Sequence, residues 1–83
     1  MERDEIAVPI DEIYVPVGRR NTLEPEKVDE LAADILEAGQ KKAIYVRHDG
    51  KRYILVEGLH RLEACKALGE TKIVAMLVQA RRK

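Results

Sequence analysis

The chain has 83 residues, and its apolar residues include no Phe or Trp and only three Tyr, so one small domain with an almost wholly aliphatic core is expected. Fifteen basic residues balance fifteen acidic ones, which argues against a domain that grips nucleic acid through bulk positive charge. A single cysteine, Cys65, excludes an intramolecular disulfide and any multi-cysteine metal site, and no apolar run approaches the length of a membrane span.

The opening Glu2-Arg3-Asp4-Glu5 is unlike a secretory signal, so the expectation is a cytoplasmic domain with no membrane partner. Glu5 to Ile10 and Glu12 to Val15 read as short extended pieces, each closed by a proline, Pro9 or Pro16. Val17 to Leu23 reads as a polar loop. A helix is predicted from Pro25 to Ala38, with Pro25 suited to its first position and Glu24, Glu26, Asp29 and Glu30 suited to the positive end of its dipole. Val28, Leu31, Ala32, Ile35 and Leu36 fall at i, i+3, i+4, i+7 and i+8, giving one apolar stripe, and Gly39 is a good helix stop.

Ala43 to Arg47 and Arg52 to Val56 read as strands joined by His48-Asp49-Gly50-Lys51, whose Asp-Gly pair is a strong hairpin signal. Tyr45 and Tyr53 are expected to pack across that hairpin. A second helix is predicted from Leu59 or His60 to Leu68, ending at Gly69 and burying Leu62, Ala64, Cys65 and Leu68. Lys72 to Val78 is apolar on both faces, as an inner strand would be, and Arg81-Arg82-Lys83 forms a basic tail. The order β-β-α-β-β-α-β describes a single small α/β domain over residues 1–83, its helices packed on a sheet that the hairpin makes mixed.

Chemistry concentrates at Glu57-Gly58-Leu59-His60-Arg61, between a strand and a helix. Glycine allows the turn and close approach of a ligand, and the free N–H groups of the first helical turn favour an anion. His60 and Arg61 add donors, and arginine can hold phosphate with two parallel bonds. Two cations at a helix start oppose the dipole unless an anion is present. Arg19 and Arg20, ahead of the first helix, could reach phosphate or nucleic acid, or form a plain solvated loop. Cys65 reads as core packing.

Two motifs then resemble the ParB/sulfiredoxin superfamily: Leu23-Glu24-Pro25-Glu26-Lys27-Val28 at the first helix, and Val56 to Ala64 with Leu68-Gly69 at the second. The resemblance runs from about Ile6 to Val78. The superfamily includes the CTP-switched N-terminal domain of ParB partition proteins, ATP-using sulfiredoxin, a free-serine kinase and proteins described as ParB-like nucleases. It implies the same fold, but one fold hosts several chemistries. By overall spacing the chain looks closest to sulfiredoxin, yet Leu59 stands where that enzyme has its reactive cysteine, and leucine cannot act as a nucleophile. Cys65 lies about 9 Å and roughly 240° further along the helix and does not replace it.

By the same resemblance, His60 and Arg61 match phosphate residues and Lys27 matches a nucleotide-contacting lysine, the alternative for Lys27 being a solvated helix position. Glu57 matches an acidic residue of the serine kinase, and is either a magnesium or acid/base group or a counter-ion for Arg61. Glu30 and Asp34 depart from the sulfiredoxin pattern, in which hydroxyl side chains stand near the ligand; two carboxylates on one helix face would repel phosphate unless a cation intervenes. The expectation is a domain that binds a nucleoside triphosphate, CTP or ATP, with Mg²⁺. Its phosphates would lie on Gly58, Leu59, His60 and Arg61, with Lys27, Arg19 and Arg20 as further contacts, and Glu57 and Arg61 would serve any catalysis. A nucleotide-dependent switch or slow NTPase in a DNA partition-related system fits, with DNA reached through a partner chain or further module, and a homodimer is plausible for a switch. The alternatives are a phosphotransferase or nuclease of the same superfamily, or a non-catalytic interaction module.

Overall fold

The computed structural model describes residues 5–78, so the basic tail at Arg81 to Lys83 and the charged Glu2-Arg3-Asp4 lie outside the described residues. In chain order the elements are β1 (Glu5–Pro9), a 3-10 turn (Ile10–Glu12), β2 (Ile13–Tyr14), α1 (Val17–Arg20), α2 (Pro25–Ala38), β3 (Ile44–His48), β4 (Tyr53–Glu57), α3 (Leu59–Ala67) and β5 (Lys72–Leu77). They build one five-stranded mixed sheet in the order β1-β5-β3-β4-β2. β1 pairs antiparallel with β5, β5 parallel with β3, β3 antiparallel with β4, and β4 parallel with the two-residue β2. β5 is thus an inner strand, as its two apolar faces require.

Val8, Ile44, Val46, Leu55, Ile73 and Ala75 of the sheet close on Ile35 of α2 and on Leu59, Leu62, Ala64 and Cys65 of α3 in one aliphatic core. Burying each of the larger side chains contributes roughly 1.5–3 kcal/mol. The helix stripe holds for Val28, Leu31, Ala32 and Ile35, but Leu36 is 76% exposed. At 100° per residue Leu36 sits at the far edge of the stripe, about 100° from Ile35, and α3 covers only the centre.

Two further expectations are corrected. The stretch read as a loop from Val17 to Leu23 contains the single helical turn α1, entered at Pro16, closed by the Arg19 N–H on the Pro16 carbonyl at 3.0 Å, and tied back by Arg20 Nε donating to the Val15 carbonyl at 3.1 Å. One turn is too short to show a helical period. Tyr53 does not pack on Tyr45: the register sets Tyr53 opposite His48 and Tyr45 opposite Glu57. Tyr53 meets the His48 ring edge-on, with centroids 4.7 Å apart.

The hairpin turn is held by Asp49, whose Oδ1 accepts from the backbone N–H groups of Lys51 at 2.9 Å and Arg52 at 3.0 Å. These bonds, with Arg52 nearby, hold the Asp49 carboxyl below the ordinary carboxylate range. A depressed carboxylate stabilises the fold above its unfolded value and loses that contribution as the pH falls through its folded one. Asp49→Ala is therefore expected to lower the urea midpoint at neutral pH, and the gap from wild type should close as the pH is taken down through the carboxylate range; a gap independent of pH would contradict this.

Gln40, between α2 and β3, acts as a short piece of strand. Its Oε1 accepts from Val74 N–H at 2.9 Å, and its Nε2 donates to the Val74 and Lys42 carbonyls, both at 2.8 Å. The side chain thus satisfies β5 just before β3 begins. Gln40→Ala leaves these backbone groups of a half-buried residue without that partner and is expected to lose on the order of 1–3 kcal/mol in urea unfolding. Faster hydrogen exchange at the Val74 amide would locate the loss.

Candidate functional site

β4 ends at Glu57, and Gly58 turns the chain into α3 with φ 113° and ψ 30°. Only glycine takes this conformation easily, and a second constraint acts here: a Cβ on Gly58 would stand 2.5 Å from Cγ2 of the buried Ile44. The turn therefore presses the start of α3 onto the sheet. α3 has no acidic residue in its first turn, and no side chain caps it at Gly58. Its leading N–H groups are open to an anion, and the His60 and Arg61 side chains sit beside them.

The two side chains face different ways. His60 turns toward α2, where Nε2 accepts from the Glu24 backbone N–H at 2.9 Å, so that ring nitrogen is committed to the helix start thirty-six positions earlier. Arg61 turns toward the sheet and is half-buried. Its Nε is buried and has no hydrogen-bond partner among the described residues. A buried donor left without an acceptor costs about 1–3 kcal/mol, which a bound acceptor would offset.

Arg61, Glu57 and Gly58 line a cleft of about 540 Å³ together with Lys41, Lys42 and Tyr45. That size falls in the usual range for small-molecule sites. Lys41 is paired with Asp34 of α2 at 3.3 Å. Among the described residues, Lys42, Glu57 and Arg61 form no ion pair, so Glu57 is not a counter-ion for Arg61.

The other sequence candidates lie elsewhere. Leu59 is only 7% exposed and belongs to the core, leaving its backbone as its one contribution to an anion site. Lys27 is well exposed on the first turn of α2, with Glu24 at 4.0 Å, and does not line the cleft. Arg20 is spent on the Val15 carbonyl, with its guanidinium 5.9 Å from the Tyr14 ring, and Arg19 is exposed on α1. Asp34 and Glu30 do not assemble with Glu57: among the described residues no three His, Cys, Asp or Glu side chains are grouped to hold a metal. The clustered carboxylates that nuclease chemistry needs are not formed there. Lys41, Lys42 and Tyr45 were missed from the sequence, although the hairpin contained the signal. In an antiparallel pair the residues entering β3 lie beside those leaving β4, and Tyr45 opposite Glu57 is that adjacency.

The profile of the ParB N-terminal domain matches residues 1–83. A curated relative, a probable chromosome-partitioning protein ParB of Campylobacter jejuni, is 38% identical over 71 residues, 84% of this chain. The chain spans about a quarter of that relative's length, 26%. Among solved structures, sulfiredoxin from Arabidopsis thaliana superposes with a TM-score of 0.84 at 27% identity, covering 93% of this chain and 86% of that one. The C-terminally truncated chromosome-partitioning protein ParB from Caulobacter crescentus, complexed with CTP-gamma-S, gives a TM-score of 0.81 at 24% identity, covering 94% and 46%. At that identity the second likeness shows the fold alone.

Proposed function

The chain belongs to the ParB N-terminal domain family, and from that premise we propose that it binds a nucleoside triphosphate, its phosphates on the first turn of α3 from Gly58 to Arg61. The observation that carries the reading is the Arg61 guanidinium, half-buried in a cleft at a helix N-terminus with its Nε lacking an acceptor. The ParB of Caulobacter crescentus complexed with CTP-gamma-S has the same fold, which supports a nucleotide as the ligand class. The output would be a ligand-dependent switch or slow hydrolysis within a DNA partition-related system, DNA being reached through another module or chain. Arg61 would stabilise charge developing on the phosphates. Mg²⁺, if carried in by the phosphates, would find Glu57 as its one carboxylate ligand from the α3 turn.

Sulfiredoxin chemistry is not part of the proposal, despite the shared fold. Leu59 offers no nucleophile, and Cys65 is 2% exposed, its thiol pushed up by burial and so held protonated. One observation favours a second reading: Glu57 is exposed, borders the cleft and among the described residues is not locked in an ion pair, as a general base for phosphoryl transfer to a small hydroxyl would need to be. Calorimetric titration with CTP, ATP, GTP and ADP in Mg²⁺ tests the primary reading. Micromolar binding with a preferred base supports it, and no binding to any of the four rejects it. Turnover that needs an added hydroxyl acceptor and disappears in Glu57→Gln, with nucleotide affinity kept, would select the second reading.

A further inference from the structure

We infer that His60 is a proton-linked latch: its neutral ring ties α3 to the start of α2, and a phosphate entering between the two helix starts converts it to a protonated donor. Nucleotide binding at this site therefore takes up a proton and tightens as the pH falls. The inference rests on the nucleotide reading above and adds to it the regulation of that site.

The geometry of the link carries the argument. His60 Nε2 accepts from the Glu24 backbone N–H at 2.9 Å, so that nitrogen holds no proton of its own. Glu24 does not cap α2 with its own side chain, and Gly58 has none with which to cap α3. The bond thus joins two helix starts, each of which keeps backbone N–H groups open. Both positive ends attract an anion to the place that His60 spans.

An anion there changes what the ring must do. A phosphate oxygen and an unprotonated Nε2 are both acceptors, and they compete for the one Glu24 N–H. They cannot face each other at hydrogen-bond distance until a proton lies between them. Once Nε2 has taken that proton from solvent, it is a charge-assisted donor to the phosphate. The phosphate in turn accepts from the Glu24 N–H and bridges the two helix starts in place of the ring. Passing the ring's single proton from Nδ1 to Nε2 would supply the donor with no net uptake, but it forgoes the positive charge that a nearby phosphate favours.

The other charged groups around this junction do not change charge near neutral pH. α2 presents Glu24 and Lys27, 4.0 Å apart, with Glu26, Asp29 and Glu30 in its first turns. α3 presents Arg61, and Glu63 paired with Lys66 at 3.4 Å, while β4 ends at Glu57. α1 brings Arg19 and Arg20, the latter tied to the Val15 carbonyl. Carboxylates titrate well below neutrality and lysine and arginine well above it, whereas imidazole takes up its proton in between. The second of the chain's two histidines, His48, sits at the β3–β4 hairpin, its Nδ1 accepting from the Gly50 N–H at 3.1 Å. It provides the internal control.

Two measurements with CTP and ATP in Mg²⁺ test the latch. Nitrogen NMR of protein labelled at histidine, at about pH 7.5, reads the rings directly. His60 is expected to show one bare ring nitrogen before nucleotide is added and two protonated ones at saturation, while His48 stays as it was. A bare nitrogen persisting on nucleotide-saturated His60 overturns the proposal, whether the latch has held or the proton has only changed nitrogen. Calorimetry in Tris and in PIPES, whose heats of ionisation differ, counts the protons. A terminal phosphate also titrates near neutrality, so the reading is the difference from His60→Gln, whose amide can accept the Glu24 N–H but cannot titrate. Wild type is expected to take up about 0.5–1 proton more per nucleotide, and to gain about tenfold more affinity from about pH 8 to about pH 6.5. His48→Gln should behave as wild type does. Equal proton counts in wild type and His60→Gln overturn the latch and leave the nucleotide reading standing. If His60→Gln does not bind, the ring spectrum of wild type decides. A wild type that binds neither nucleotide overturns both readings.

Discussion

Gly58→Ala is expected to destabilise the domain by on the order of 3–5 kcal/mol, the largest effect of a methyl added at any of its glycines. Two penalties combine. The alanine must hold a φ of 113°, and its Cβ must stand 2.5 Å from Cγ2 and 2.8 Å from Cβ of Ile44, a residue 1% exposed in the middle of the core. Strain of that kind costs about 1–3 kcal/mol, and overpacking a filled core costs a similar amount. In a domain of this size the sum lowers the melting temperature by roughly 12 °C or more, a large share of the stability such domains possess. Gly69→Ala is the matched control: its φ is also positive, at 80°, but an added Cβ meets no atom within 4 Å. It should show the backbone strain without the clash and lose about 1 kcal/mol. Equal melting curves for the two variants would mean that the β4–α3 turn relaxes away from Ile44.

Arg61→Ala is expected to act in opposite directions on binding and on stability. Charge-assisted hydrogen bonds contribute about 1.5–3 kcal/mol, so nucleotide affinity should fall roughly 10- to 100-fold or drop below detection. The unliganded protein should lose no stability. The substitution removes a buried donor without a partner, and it removes a positive charge from the positive end of a helix, an unfavourable placement by about 0.3–1 kcal/mol. A melting temperature equal to or above that of wild type, with binding lost, is the signature of a residue kept for its ligand. Arg61→Lys should recover only part of the affinity, because lysine keeps the charge but lacks the planar fork. A marked loss of stability in Arg61→Ala with nucleotide binding intact would instead make the arginine a packing residue whose stem covers the core.

The elements that could be read from the sequence were those announced by periodicity or by a turn residue. α2 shows its helical stripe, the hairpin its Asp-Gly pair and α3 its glycine on either side, and the family match to the whole chain agrees with that reading. α1 could not be read, since one turn has no period, and Leu36 was misread because it sits at the edge of the stripe that α3 covers. For the site, the local motif put Glu57, Gly58 and Arg61 in one cleft. The partner of His60 was hidden, because its bond to Glu24 joins positions thirty-six residues apart and no local pattern encodes it. Lys41 and Lys42 carried no motif. The hairpin places the entry to β3 beside the end of β4, but a bulge between Tyr45 and Val46 shifts the register by one residue, so the exact partner of Glu57 is set by the folded ladder.

The pairing of β1 with β5 has a kinetic consequence. The first described strand finds its partner only in the last, across nearly the whole described chain, with β3, β4 and both longer helices made in between. Closing so long a loop must be offset before the contacts it brings can form, which slows folding relative to a helical bundle of equal size. During synthesis β1 waits unpaired until β5 leaves the ribosome. A charged residue at one end of it, Glu5, and a proline without an N–H at the other, Pro9, make that waiting strand a poor template for another chain.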